Sequence, residues 1–258
     1  MAFSNLLDLI FPPVCLHCQT NVRRGISLCA QCTASIRLNH TLFCGKCHAR
    51  IPIRINPNPP CRPRPRSESR AGSSGDPVIH PRVKRICHTD FPYILGAATE
   101  YDSPVIKSLI HALKFRFIKN AAAPLADYLA LYIEEIKIPL NEYSLIPLPL
   151  SKKRLRERGF NQSDLIASSL AARFDLPIEK NALLRVKHSK PQSETKGVDA
   201  RRENVKTSFA VRDPRLIAGK NILLIDDVTT SGATFFAAAT ALKSAGAKKI
   251  IALAAARA

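Results

Sequence analysis

Tryptophan is absent and aromatic residues make up only 6% of the 258-residue chain. An extended platform of rings on which single-stranded bases stack is therefore not evident. No apolar run approaches the roughly 18 residues that a bilayer-spanning helix needs. Residues 250–256, Ile-Ile-Ala-Leu-Ala-Ala-Ala, come nearest and read as a buried strand. The first 13 residues are apolar but carry Asp8 and no basic leader, which makes a poor signal peptide, so a cytoplasmic protein without membrane insertion is expected. Acidic residues are scarce, 20 against 39 Lys and Arg, leaving a formal net charge of +19. That surplus favours polyanionic partners such as nucleic acid, phosphorylated substrates or an acidic membrane surface, with a merely solubilising surface as the plain alternative. Wholesale disorder is excluded by a hydrophobic content of 46%, an ordinary globular value.

Cysteine stops at residue 87, and six of the eight fall in three Cys-x-x-Cys pairs: Cys15/Cys18, Cys29/Cys32 and Cys44/Cys47. Two intervening residues let both thiolates of a pair reach one tetrahedral metal ion. Disulfides would need an oxidising compartment, and a thioredoxin-like site needs one such pair on a strand-to-helix turn. Zinc is favoured. Cys15, Cys18, Cys29 and Cys32 make a complete four-thiolate ribbon, closed and structural. A second ion could use Cys44, Cys47, Cys61 and Cys87, although the last two stand far apart.

Residues 1–55 show little apolar periodicity, so metal must supply much of their folding energy. Residues 56–86 are rich in Pro, Arg, Ser and Gly and read as a disordered or extended basic insert. Beyond about residue 90 the texture is ordinary α/β sequence. Residues 91–101 suit a strand or hairpin. Ile106, Leu109, Ile110 and Leu113 form one helix face, and Leu125, Leu129, Ile133 and Ile136 a second. Residues 145–149 read as a strand, and Asn161 as the cap of a helix running to about Phe174. The polar stretch 185–205 reads as a mobile loop. Residues 221–225 form an apolar strand, followed by an Ala-rich helix ending at Gly246 and a strand from Lys249. Strand, helix, strand in this order predicts a parallel sheet with helices on its faces.

The stretch 222–234 carries the clearest chemistry. A buried strand delivers Asp226 and Asp227 to its C-terminal end, where ligands of open α/β sheets sit. Thr230, Ser231, Gly232, Ala233 and Thr234 then combine hydroxyls, a glycine and the free amides of a helix N-terminus, which suits a phosphate monoester. Carboxylates one phosphate-length away suit the vicinal hydroxyls of a sugar. A Walker loop is excluded because no Gly-Lys-Ser/Thr follows.

These thirteen residues resemble the phosphoribosyl pyrophosphate motif of type I phosphoribosyltransferases, with Thr229 where an aliphatic residue is usual. Residues 146–162, Ile-Pro-Leu-Pro-Leu-Ser-Lys-Lys-Arg-Leu-Arg-Glu-Arg-Gly-Phe-Asn-Gln, are similar to the distinctive segment of the ComF family of competence proteins. Pro191-Gln192, Arg201 and Asn204-Val205 resemble that family's next block, and the cysteine-rich start matches as well.

The resemblance implies a zinc-ribbon module over 1–55, extending to 90 if double, and a type I phosphoribosyltransferase domain over 91–258. Phosphoribosyl pyrophosphate with Mg²⁺ is the implied ligand, and single-stranded DNA and other competence or helicase-type proteins the implied partners. Lys114, which with His111 resembles the family's His-x-x-Lys stretch, joins Lys152, Arg154 and Arg158 as an expected substrate contact. The 147–160 segment is expected as a pyrophosphate-facing loop. The 185–205 stretch resembles a closing lid, with Gln192, Arg201 and Arg202 counted with Asp226 and Asp227 as catalytic and Lys187 and Lys190 as further contacts. Two functions remain open: pentosyl transfer to a nitrogen acceptor, or a non-catalytic DNA-handling or regulatory role on the same fold.

Overall fold

The computed structural model describes residues 12–51, 88, 90–186 and 208–258. The 56–86 insert, Cys61, Cys87, Gln192, Arg201, Arg202, Lys187 and Lys190 lie outside the described residues. Four apolar stretches become parallel strands: β3 (Ile94–Glu100), β4 (Tyr143–Pro147), β7 (Asn221–Thr229) and β8 (Lys249–Arg257). They lie in the order β3-β8-β7-β4. Residues of β7 and β8 are buried on both faces, which explains why these strands read as continuous apolar runs instead of alternating ones.

One face carries α2 (Pro104–Phe115), α3 (Ala122–Glu135) and α5 (Gln162–Phe174), packed on Leu223 and Ile225 of β7. The other carries α6 (Ala233–Ser244) and a two-stranded hairpin of β5 (Leu183–Arg185) and β6 (Phe209–Val211), packed on Ile222 and Leu224. The expected stripe of α2 is the observed one: Ile106, Leu109, Ile110 and Leu113 are all buried. Each such side chain contributes about 1.5–3 kcal/mol of burial.

Two local expectations change. Asn161 occupies the N-cap position of α5, yet its amide donates to the Leu148 carbonyl at 3.0 Å and no side chain caps that helix. The basic stretch expected as a loop contains a short helix, α4 (Lys152–Arg158), because Ser151 caps it by accepting from the Arg154 amide at 3.3 Å.

The cysteine-rich segment is integrated with the sheet. Its strands β1 (Leu42–Cys44) and β2 (Arg50–Ile51) form an antiparallel hairpin, and β1 pairs antiparallel with β3. The six-stranded order is therefore β2-β1-β3-β8-β7-β4. Cys15, Leu28, Cys32 and Ile36 share one core with α2 and α3, and Cys32 lies on the short helix α1 (Ala30–Ala34). Tyr128 donates to the Thr33 carbonyl at 3.1 Å and Tyr132 to the Thr41 carbonyl at 2.6 Å.

Candidate functional site

At the C-terminal end of β7 the two carboxylates leave the sheet in different company. Asp227 is buried, and its Oδ1 lies 3.0 Å from Lys114 Nζ on α2. Asp226 Oδ1 accepts from Ser163 Oγ of α5 at 2.8 Å and from the Asp227 amide at 2.9 Å. Burial, and next the adjacent charge of Asp227, push the Asp226 carboxyl up to about 7 against the opposing pull of Ser163 and Lys114. Two acids side by side in a low-dielectric pocket cannot both ionise freely, so the site is primed for donors: hydroxyls or a cation.

A cleft of about 150 Å³ opens over these acids, lined by Lys114, Arg154, Arg158, Gln162, Ser163, Arg185 and Thr234 among others. Arg158 Nη1 donates to Gln162 Oε1 at 3.0 Å. That bond leaves Gln162 Nε2 buried with no partner among the described residues, a donor that an oxygen-rich ligand would satisfy. Arg185 stacks 5.5 Å over Phe209. Burial and the Arg154 charge hold its guanidinium below the usual arginine range, and Asp226 opposes them. A larger hollow of about 750 Å³, lined by Ser35, Arg37, His40, Arg50 and Glu100, lies elsewhere and has no acid pair in its lining.

The loop after β7 turns at Gly232, whose φ of +72° is the left-handed conformation that glycine adopts readily. A Cβ there would also stand 2.6 Å from the Tyr93 hydroxyl. Gly232 caps α6, and no side chain accepts from the helix's first amides. Thr230, Ser231, Ala233 and Thr234 are exposed around that turn. Lys114, Arg154, Arg158, Asp226, Asp227 and Thr234 thus line one cleft. Lys152 is exposed and outside the cleft lining, and His111 is exposed beside Phe115. Ser163, Gln162 and Arg185 are not singled out by the sequence, because only the packing of α5 and the β5–β6 hairpin brings them to β7.

The first cysteine group is a metal site by chemistry and spacing. The ligand atoms of Cys15, Cys18, Cys29 and Cys32 lie within 4.8 Å of one another, and the Cys18 and Cys29 sulfurs are 3.6 Å apart. Four zinc–sulfur bonds of 2.3 Å would place the sulfurs about 3.8 Å apart. The Thr20 hydroxyl lowers the Cys18 thiol and the Cys32 amide lowers Cys29, while burial and crowding push Cys32 up to about 12. Crowded thiolates repel, and a divalent cation relieves that repulsion. None of the six described cysteines is in a disulfide. Cys44 and Cys47 form a second group whose third member is His88, a residue that the cysteine spacing does not include.

Two families match: the Phosphoribosyl transferase domain over residues 162–258 and the Double zinc ribbon domain over 6–63. "Competence protein F" of Haemophilus influenzae is 27% identical over 92% of this chain and 93% of its own length. "DNA utilization protein YhgH" of Salmonella typhimurium is 26% identical over 80% of this chain and 86% of its own. "Competence protein ComFC" of Bacillus subtilis is 37% identical over 42% of this chain and 41% of its own. The chain is ComF-like. Its parallel sheet is that of a phosphoribosyltransferase domain, and its N-terminal cysteines belong to a structural zinc ribbon. Among the described residues of this ComF-like protein no helix is long and apolar enough to cross a membrane.

Proposed function

We propose that the cleft binds phosphoribosyl pyrophosphate and transfers its pentose to a nitrogen nucleophile. The observation that carries this reading is the pair Asp226 and Asp227 at the end of β7, held by Ser163 and Lys114 directly before an uncapped helix start. The 5′-phosphate sits on the amides and hydroxyls of residues 230–234, where aligned backbone dipoles favour an anion. Asp226 and Asp227 accept from the ribose hydroxyls. Lys114, Arg154, Arg158 and Arg185 face the pyrophosphate, and Gln162 Nε2 gains the acceptor it lacks.

The C1–oxygen bond breaks with its electron pair leaving on pyrophosphate, and the new bond forms between C1 and the acceptor nitrogen. Positioning and charge neutralisation supply the rate enhancement, and no covalent nucleophile is required. The donor set also fits magnesium, which takes one or two carboxylates together with substrate phosphates. Asp226 and Asp227 are the groups that would hold it, and it would supply further neutralisation of the leaving group.

Thermal denaturation tests the site. Saturating phosphoribosyl pyrophosphate with Mg²⁺, at about 100 times its Kd, stabilises by about 2.7 kcal/mol and raises Tm by roughly 5–10 °C. Asp226→Asn with Asp227→Asn abolishes the shift; an unchanged shift in that variant refutes the sugar site.

A second reading, single-strand DNA handling, is favoured by the +19 charge and by the names of the similar proteins. Lys152, Lys153 and Arg156 of α4 are exposed and outside the cleft lining, so one short helix serves two polyanion surfaces. DNA binding of this kind falls steeply with salt and persists in the double Asn variant. Loss of binding on deleting 62–86 would place the grip in the insert.

A further inference from the structure

The chain from Cys44 to His48 forms a knuckle that joins β1 to β2. The His48 amide donates to the Cys44 carbonyl at 2.9 Å, and the Cys44 amide to the Ala49 carbonyl at 2.9 Å. Cys44 is buried at the end of β1, and its Sγ lies 3.5 Å from His88 Nδ1. Cys44, Cys47 and His88 each offer one ligand atom, all within 4.8 Å of one another. Two thiolates and an imidazole are the borderline-soft donors that select zinc. The double-ribbon match ends at residue 63, so His88 falls beyond it.

The same knuckle touches the phosphate loop. Tyr93 donates to the Gly232 carbonyl at 3.2 Å, with its hydroxyl 3.5 Å from the Gly45 carbonyl inside the knuckle. The Phe91 ring presses on Gly45, where a Cβ would stand 2.7 Å from it, and stacks 5.2 Å from Phe236 of α6. The Phe91 amide donates to the His88 carbonyl at 3.2 Å. From ligand to loop the path therefore runs from His88 through Phe91 to Tyr93, close together in the chain.

We infer that His88 is a ligand of a second zinc ion with Cys44 and Cys47, and that this ion braces the loop at Gly232 through Phe91 and Tyr93. The ion fixes the knuckle; the knuckle and Phe91 fix Tyr93; and Tyr93 holds the turn from which α6 starts. The first ribbon, packed on α2 and α3, has no part in this path.

Zinc content and amide exchange of the full chain, both measured without sugar ligand, test the inference separately from the function proposed above. His88→Ala loses one zinc ion relative to the parent chain, whereas His88→Cys, which restores a thiolate, keeps it. Equal zinc in the parent and His88→Ala overturns the ligand assignment. Loss of the ion in both variants also counts against it, since that points to misfolding of the knuckle instead of a missing donor. In His88→Ala the peptide spanning 230–236 exchanges faster than in the parent chain, because local opening becomes easier once the brace is gone. Unchanged exchange after loss of the ion overturns the brace.

Discussion

Folding raises the affinity of Asp226 for a proton. In the unfolded chain its carboxyl titrates near 3.8, and in the fold burial and Asp227 push it up to about 7. Between those values the folded state holds the extra proton, so the contribution of this residue to stability declines as pH rises through the window. Asp226→Asn removes the penalty: its Tm exceeds that of the parent at pH 8 by on the order of 3 °C, and the two converge near pH 4. Equal differences at both pH values would show that folding leaves the Asp226 carboxyl unshifted. At this scale sequence reading goes far with residues adjacent in the chain, such as Asp226 and Asp227. It fails with those that arrive from elsewhere. Ser163 and Arg185 meet Asp226, and His88 meets Cys44, only because the fold closes long stretches of chain. No local pattern marks any of the three.

Among elements, the turn at Gly232 has little freedom. A side chain there meets both an unfavourable φ and the Tyr93 hydroxyl, so Gly232→Ala costs about 1–3 kcal/mol. If the turn holds the 5′-phosphate as proposed, the same variant also weakens phosphoribosyl pyrophosphate binding; isothermal titration beside a melting curve separates the two effects. The periodic helix α2 and the continuous apolar run of β7 are legible in sequence because burial decides them. The start of α4 is not: the basic run after β4 reads as a pyrophosphate-facing loop, whereas the Ser151 cap starts a helix there. Strands β1 and β2 are illegible for another reason. They are three and two residues long, too short for any alternation to show. They exist through pairing, β2 with β1 and β1 with β3, where Leu42 faces Gly96.

For the molecule as a whole, the cysteine-rich segment and the transferase-type sheet melt as one body, since Cys15 and Cys32 share a core with α2 and α3. Chelation of zinc therefore lowers the principal Tm in scanning calorimetry. A separate early transition that leaves the main one unmoved would mean that the two parts are independent.

The antiparallel seam between β1 and β3 also governs how the protein can be dissected. A fragment beginning at residue 91 would strip the cover from one margin of β3 and leave a row of unsatisfied amides and carbonyls along it. Such raw borders recruit other chains, so the truncated piece would self-associate more readily than the full chain.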